Sequence, residues 1–191
     1  MKNELLLVEE SELALLHLHS AQAEPLFALI QQDRAYLAHW LLWPQGIGSV
    51  ADLQHFIRTS LLQLAQRRAL QCTLRYQGVL VGMCGFQSLN HSRKQAQLGY
   101  WLADAWQGRG IVTRACRLLL AHGFGVLELE HIVIATAEDN YPSRAVCERL
   151  GFVLERRCPQ AEQLADRLVD HLIYGLHRTQ WQAGFTPDQT L

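Results

Sequence analysis

A glycine-rich segment near the middle of the chain has the residue types and spacing to bind an anion. It lies between a stretch typical of a strand and a stretch typical of a helix, and it reads Gln107, Gly108, Arg109, Gly110, Ile111, Val112, Thr113. Such a turn exposes several backbone N–H groups at the positive end of a helix dipole, which suits a phosphate or pyrophosphate. Arg109 adds positive charge. An ordinary turn capped by glycine is the alternative that these residues leave open.

Two familiar phosphate-binding motifs do not fit this segment. The P-loop pattern GxxxxGK[ST] occurs nowhere in the chain. The dinucleotide-binding fingerprint GxGxxG fails because Thr113 stands at the third glycine position, and no acidic residue lies where it would bind a ribose. The segment therefore predicts an anion site of another class.

The segment and a second motif together resemble the GNAT superfamily of N-acetyltransferases. The family's pyrophosphate motif, R/Q-x-x-G-x-G/A, is matched from Gln107 to Gly110, with Val112 in place of the last Gly or Ala. The second motif follows in the right order and at the right distance, as Asn140-Tyr141-Pro142-Ser143-Arg144 and then Glu148-Arg149-Leu150-Gly151-Phe152. With the order of the predicted elements, the resemblance covers roughly residues 10 to 178.

This resemblance implies an acetyl-CoA-dependent N-acetyltransferase. It implies that the turn from Gln107 to Thr113 binds the CoA pyrophosphate and that Asn140 binds the pantetheine arm. It also implies that a backbone N–H at the end of the preceding strand, at Leu102 or Ala103, polarises the thioester carbonyl. No metal is expected, because the histidines show no ligand spacing such as HExxH.

Three stretches are similar to the RimL/RimJ branch of the family, which acetylates the N-termini of ribosomal proteins. They are Arg34, Leu37, Trp40 and Trp43-Pro44; Leu98 to Leu102; and Gln160-Ala161-Glu162 with Asp166 and Asp170. The resemblance implies an acceptor protein with a free N-terminal α-amine, such as a ribosomal protein, and a homodimer. The two tryptophans can wall the acceptor pocket or simply pack into the core.

The departing CoA thiolate needs a proton donor, and the family's usual tyrosine is replaced here by Cys147. Ser143 lies about one helical turn earlier on the same face. A serine at the matching position is the donor in the RimL branch, so the resemblance implies Ser143 as the catalytic acid. Tyr141 is a second candidate, and a Ser143 that merely caps the helix is the structural alternative. Cys147 as a nucleophile lacks a matched histidine.

Glu162 stands at the position of that branch's base, which implies that it accepts the amine proton through water. A solvated loop carboxylate is the alternative. An α-amine needs only weak assistance from a base to lose its proton, because its pKa of about 7.7–8.0 leaves roughly a tenth of it neutral at pH 7. A lysine side chain, with a pKa of about 10.4, is neutral in only about one part in 2,500.

The elements that must position these residues follow from the hydrophobic periods. The first half predicts a strand over Leu13 to Leu18, helices over Ser20 to Asp33, Arg34 to Trp43 and Ser49 to Arg67, and a meander of Leu70 to Tyr76, Val79 to Asn90 and Gln95 to Ala103. The second half predicts a helix over Gly110 to Phe124, a buried strand over His131 to Ala137, a helix over Tyr141 to Leu150, and strands over Phe152 to Cys158 and Leu168 to His177. Ser20 is the predicted cap of the first helix, Ser49 and Asp52 form a predicted capping box, and Gly151 is the expected left-handed residue after Leu150. We expect a single domain over residues 1–191 with an α+β, GNAT-type fold, whose mixed, mostly antiparallel sheet is flanked by helices.

Composition narrows the classes of partner and location. A net charge of -1 argues against a bulk nucleic-acid binder, which needs a basic surface. No apolar run approaches the ~18 residues of a membrane span, and no signal-peptide core is visible. The five cysteines are scattered without a CxxC pair, which favours reduced thiols in a cytoplasmic protein.

Two other functions stay open at this point. A small-molecule amine acetyltransferase of the same fold would need the same CoA residues. A non-catalytic CoA-binding sensor or scaffold is suggested by the missing tyrosine.

Overall fold

Eight strands join in one sheet in the order β1-β2-β3-β4-β5-β6-β8-β7. The structure, a computed structural model, describes residues 6–164 and 167–184. The strands are β1 (Leu6–Glu10), β2 (Leu13–His17), β3 (Leu70–Tyr76), β4 (Val79–Asn90), β5 (Gln95–Leu102), β6 (His131–Ala137), β7 (Val153–Gln163) and β8 (Leu168–His177). The β5–β6 pair is parallel and the other pairs are antiparallel. The predicted α+β fold with a mixed, mostly antiparallel sheet is confirmed.

Six α-helices flank this sheet within the described ranges. They are α1 (Ala23–Gln32), α2 (Arg34–Trp40), α3 (Val50–Ala65), α4 (Ile111–Gly125), α5 (Tyr141–Arg149) and α6 (Arg178–Gly184). Three 3-10 turns add Ser20–Gln22, Trp43–Gly46 and Asp104–Trp106. None of these helices is long and apolar enough to cross a membrane.

Two apolar clusters hold the layers together, one on each face of the sheet. On one face α4 and α5 pack against the sheet in a cluster that includes Leu119 on α4, Val146 on α5, Phe86 on β4 and Ile132 on β6. On the other face α1, α2 and α3 pack on Met83 and Trp101. Burial of such side chains stabilises the fold by about 25 cal/mol per Å² of apolar surface.

Helix ends follow local chemistry, and one predicted end is wrong. Ser49 begins α3 with the predicted capping box, because its Oγ accepts the Asp52 N–H and the Asp52 carboxylate accepts the Ser49 N–H at 2.8 Å. Gly151 takes the expected left-handed conformation after α5, with φ of 81°. Ser20 is not a cap, since His19 caps the 3-10 turn that precedes α1.

The second predicted helix also ends early. It stops at Trp40, and a 3-10 turn begins at Trp43 instead. Arg34 explains the change, because its guanidinium donates to the carbonyl oxygens of Pro44 and Ile47 and folds this segment back on α2.

Three differences from the predicted strands and helices have physical causes. Strand β1 carries glutamates at an exposed sheet edge, so its sequence lacks the buried alternation of a strand. Helix α6 has no buried residue and therefore no apolar stripe. Strand β7 runs five residues beyond the predicted Cys158, because bulges at Leu154/Arg156 and Cys158/Glu162 break its period.

The feature of the sheet that matters for function is the short β5–β6 pairing. The two strands pair at Gln95 with His131, Ala96 with Ile132 and Gln97 with Val133, and at no later residue. Beyond this point β5 continues on β4 and β6 continues on β8. The two strands therefore part and open a gap in the middle of the sheet.

Candidate active site

A cavity of about 1040 Å³ occupies this gap and extends to the ends of α2, α4 and α5. The sequence-predicted residues that line it are Leu102, Gln107, Gly108, Arg109, Gly110, Ile111, Val112, Thr113, Asn140, Ser143 and Glu162. Ala103 is buried and is not among the lining residues, because it faces β4 and donates its N–H to the Val81 carbonyl at 2.8 Å. One cavity thus gathers residues that lie up to sixty positions apart in the chain.

The end of β5 presents backbone groups to the cavity. In an antiparallel pair, neighbouring residues alternate between facing the partner strand and facing away from it. Since Ala103 bonds to β4, Leu102 and Tyr100 direct their N–H and C=O groups to the opposite side, where β6 has parted. The Leu102 N–H is therefore available to a carbonyl oxygen in the gap.

The glycine turn forms the start of α4. Gly108 and Gly110 have φ of 71° and 72°, the left-handed conformation that favours glycine. The first helical hydrogen bond runs from the Arg114 N–H to the Gly110 carbonyl, so the N–H groups of Ile111, Val112 and Thr113 have no partner within the helix. Together with the dipole of a fifteen-residue helix, these groups suit a pyrophosphate.

Two contacts fix this turn to the rest of the molecule. The Asp33 carboxylate between α1 and α2 accepts the Asp104 N–H at 2.8 Å. The Arg109 guanidinium stacks over the Trp106 ring at 4.8 Å and donates to the Ala105 carbonyl at 3.3 Å. The positive charge of Arg109 is thereby held at the mouth of the turn.

Asn140 and Ser143 lie at the start of α5. The Asn140 side-chain oxygen accepts the Ser143 N–H at 3.1 Å, so Asn140 is the helix cap and Ser143 is not. The Ser143 hydroxyl lies 2.8 Å from the hydroxyl of Tyr100, on β5 across the gap. Ser143 is therefore a positioned hydroxyl on the cavity wall.

Tyr100 is a site residue that the sequence analysis missed. Burial holds the pKa of its hydroxyl well above the ordinary value, and the nearby Cys116 and Cys147 act in the same direction. The group therefore keeps its proton at neutral pH. Its place in the Leu98 to Leu102 stretch was a signal, but only the fold shows which side chain there meets Ser143.

Cys147, which the resemblance places at the position of the family's tyrosine, is poorly suited to act as a nucleophile. It is fully buried, and burial raises the pKa of its thiol to about 12. At neutral pH only about one thiol in 10⁵ would be ionised, and the thiolate is the reactive form.

Glu162 has a histidine partner that the sequence analysis also missed. It lies on β7 and not in a loop, and its carboxylate is 3.2 Å from the His171 Nε2 on β8. Both side chains line the cavity and are partly exposed. Asp170 lies beside this pair in sequence but bonds to Arg157, and Asp166 lies outside the described residues.

Both early tryptophans, Trp40 and Trp43, line the cavity. Trp43 contacts Trp101 with ring centres 5.8 Å apart, and Trp40 packs against Ala137, Leu164 and Val169. Arg167 stacks over the Trp40 ring at 5.5 Å and pairs with Asp139 at 3.3 Å. Trp40 therefore both packs against core residues and lines the cavity.

Comparison with known proteins agrees with this geometry. Residues 12–153 match the family model described as the acetyltransferase (GNAT) domain. The chain belongs to the GNAT acetyltransferase family. The ribosomal-protein-serine acetyltransferase of Escherichia coli (strain K12) is 32% identical over 162 residues, which are 83% of this chain and 90% of that protein.

Two solved GNAT structures are similar over most of their length. The ribosomal L7/L12 α-N-protein acetyltransferase RimL, in complex with coenzyme A, has a TM-score of 0.87 and 26% identity, covering 90% of this chain and 97% of that one. The microcin C7 self-immunity acetyltransferase MccE, in complex with acetyl-CoA and AMP, has a TM-score of 0.83 and 31% identity, covering 88% and 93%. The chain is an acetyl-CoA-dependent N-acetyltransferase, as predicted.

A negative side chain at Gly110 should abolish tight binding of the co-substrate. We expect Gly110→Glu to weaken acetyl-CoA binding by more than about tenfold, because the added carboxylate would repel a pyrophosphate from the unpaired N–H groups at the helix start. Isothermal titration calorimetry measures the change. Gly110→Asn, which tolerates positive φ and adds no charge, should lose less affinity.

The matched control is Gly78→Glu, at a hairpin glycine with φ of 77° and the same open surroundings. It carries the same backbone strain away from the cavity and should keep wild-type affinity. Unchanged affinity in Gly110→Glu would contradict the assignment of the turn.

Proposed function

We propose that this acetyltransferase modifies the N-terminal α-amine of a protein, with a ribosomal protein as the best-supported acceptor. The observation that carries the proposal is the Glu162–His171 pair on the cavity wall, on β7 and β8, whereas the glycine turn follows β5 on the other side of the gap. A carboxylate there attracts an α-ammonium group and can take its proton through water. The E. coli relative, which is named for a ribosomal-protein serine, supports a protein acceptor.

The rim of the cavity also suits a peptide. Leu42 is 46% exposed and Trp43 is 37% exposed, and both belong to the lining. Large apolar side chains exposed together at the mouth of a cavity are typical of surfaces that bind a partner. They can contact the residues that follow the acetylated amine, whereas a small amine would leave them in water.

The transfer uses groups of this chain at three points. The neutral amine attacks the thioester carbonyl, and the developing oxyanion accepts a hydrogen bond from the Leu102 N–H. When the tetrahedral intermediate collapses, the C–S bond breaks and the new C–N bond remains. The Ser143 hydroxyl gives its proton to the thiolate and regains one from water. The amine's excess proton passes through water to Glu162 and from there to the solvent, so both side chains return to their starting state. The products are the acetylated amine and CoA with a free thiol.

Tyr100 acts through Ser143. When the Tyr100 hydroxyl donates to the Ser143 oxygen, the serine proton is directed to another acceptor, and we propose the leaving thiolate as that acceptor. The high pKa of Tyr100 keeps that donor protonated. We therefore assign Ser143 as the catalytic acid and Tyr100 as its positioning residue.

Two other functions use the same cavity. MccE, with its bound AMP, makes a small-molecule acceptor a reasonable second candidate. A scaffold that binds CoA without turnover is the third. Cytoplasmic location and a homodimer stay predictions.

The acceptor class is decided by a peptide panel. We expect faster acetylation of peptides with a free N-terminus than of N-blocked peptides that contain lysine, because far more of the α-amine is neutral at pH 7. Intact-mass analysis after incubation with acetyl-CoA measures both. Spermidine and aminoacyl nucleotides serve as small-amine competitors, and preference for them or for the blocked lysine peptides would overturn the proposal. Absence of turnover with every acceptor would favour the scaffold.

Loss of the Ser143 hydroxyl should slow the chemical step. We expect Ser143→Ala to lower kcat by about 10²–10⁴-fold with little change in the KM for acetyl-CoA, since the proton is needed mainly in the transition state. Tyr100→Phe should lower kcat less, and the double variant should be no slower than Ser143→Ala. Tyr141→Phe, at a side chain that is 70% exposed, is the control and should keep wild-type kcat. A wild-type kcat in Ser143→Ala would contradict the assignment and show that Tyr141 or water donates the proton instead.

The Glu162 assignment predicts a change in the pH profile. Glu162→Gln should lower kcat/KM strongly near pH 6.5, where most α-amine is protonated, and only slightly near pH 9, where it is already neutral. Profiles over pH 6 to 9.5 test this, with Glu24→Gln, at an exposed position of α1, as the control. An equal loss at every pH would show that Glu162 shapes the pocket and is not the base.

A further inference from the structure

Three metal-binding side chains meet at the end of the sheet away from the cavity. His131 begins β6, His177 ends β8, and Glu155 lies on β7. Their ligand atoms all lie within 4.8 Å of one another. The His131 Nε2 is 2.7 Å from the Glu155 Oε1, and the His177 Nε2 is 3.9 Å from the same oxygen.

The sheet itself brings these residues together. His131 and His177 are direct partners in the β6–β8 pair, and their rings stack with centres 4.3 Å apart. Glu155 lies in the bulge of β7 between Leu154 and Arg156. A bulge redirects a side chain, and here the carboxylate reaches across β8 to both imidazoles.

Gly175 provides the space for this cluster. Its φ is not in the left-handed region, so the backbone does not require glycine. A Cβ at this position would lie 1.9 Å from the Glu155 Oε1 and 2.6 Å from the His131 Nε2. Any larger residue would displace the carboxylate from the two rings.

We propose that His131, Glu155 and His177 form a divalent transition-metal site, for which Zn²⁺ is the best fit. Two imidazole nitrogens and one carboxylate oxygen are ligands that Zn²⁺ prefers. Bonds of about 2.0–2.1 Å in a tetrahedron place ligand atoms about 3.3 Å apart. The His131 Nε2 and the Glu155 Oε1, now 2.7 Å apart, would exchange their hydrogen bond for the cation and move apart by about 0.6 Å. A side-chain rotation that moves the Nε2 of the half-exposed His177 by up to about 1 Å would bring in the third ligand, and water completes the coordination shell.

This site is distinct from the acetyl-transfer site. His177 and His171 are six positions apart on β8, which corresponds to roughly 20 Å along a strand. The bound cation would join β6, β8 and β7, the three strands on one side of the gap. Its expected effect is on stability, because a ligand that binds only the folded chain raises its stability by mass action.

Metal binding is measured on the untagged full chain after chelator treatment. We expect one equivalent of Zn²⁺ by calorimetry, and a Tm increase of about 5–10 °C at a hundredfold excess over Kd. Glu155→Gln, which keeps the shape of the side chain, and His177→Ala should each lower Zn²⁺ affinity by at least about tenfold. His55→Ala, at an exposed position of α3, is the matched control and should bind as wild type. Acetyl transfer should be unchanged in all three variants.

Three results would overturn the site. The first is no stoichiometric binding by the wild-type chain. The second is wild-type affinity in both Glu155→Gln and His177→Ala, which would place the cation elsewhere. The third is a thiolate charge-transfer band with Co²⁺ that Cys158→Ser removes, since Cys158 is the partly exposed thiol among the five.

Discussion

The parting of two parallel strands is the constraint on which the rest of the site depends. Strands β5 and β6 share only three residue pairs, although each continues for several residues beyond them. Each strand stays in place because its other edge is fully paired, β5 with β4 and β6 with β8. The inner edges then carry backbone groups without strand partners, and buried groups of this kind cost about 1–3 kcal/mol each unless something bonds to them. A thioester with its amide-rich arm has the hydrogen-bonding groups to fill such a gap.

The first residues of two helices form the other walls of the cavity. Helix α4 starts at one side with unpaired N–H groups, and α5 starts at the other with Asn140 as its cap. The Asp33 contact with Asp104 and the Arg34 contacts with the Trp43–Gly46 turn tie the helices on the opposite face to the same opening. The opening is therefore held from both layers of the fold, and its two ends have different chemistry. One end suits phosphate and the other suits a cation with an apolar neighbour.

Local signals in the sequence predicted most of the frame. The Gln107 to Gly110 turn, the Ser49 capping box and the apolar β6 strand are each specified within a few residues, so they can be identified without the fold. The RimL resemblance placed Ser143 and Glu162 in a shared site, and the structure lines one cavity with both. Tyr100 and His171 could not be predicted, because their roles depend on register across strands. The β7 bulges likewise hid Glu162 from strand prediction, since they interrupt the alternation that a strand pattern requires.

Cys147 illustrates how burial controls reactivity beside an activated acyl group. A reactive thiol next to a thioester can take the acetyl group in a thiol–thioester exchange. The acetyl group would then be bound to the protein and would no longer be available to the acceptor amine. The enclosed setting that raises the pKa of this thiol also removes it from the cavity wall. Cys147 therefore lies within one helical turn of Ser143, the proposed proton donor, without presenting a thiolate to the cavity.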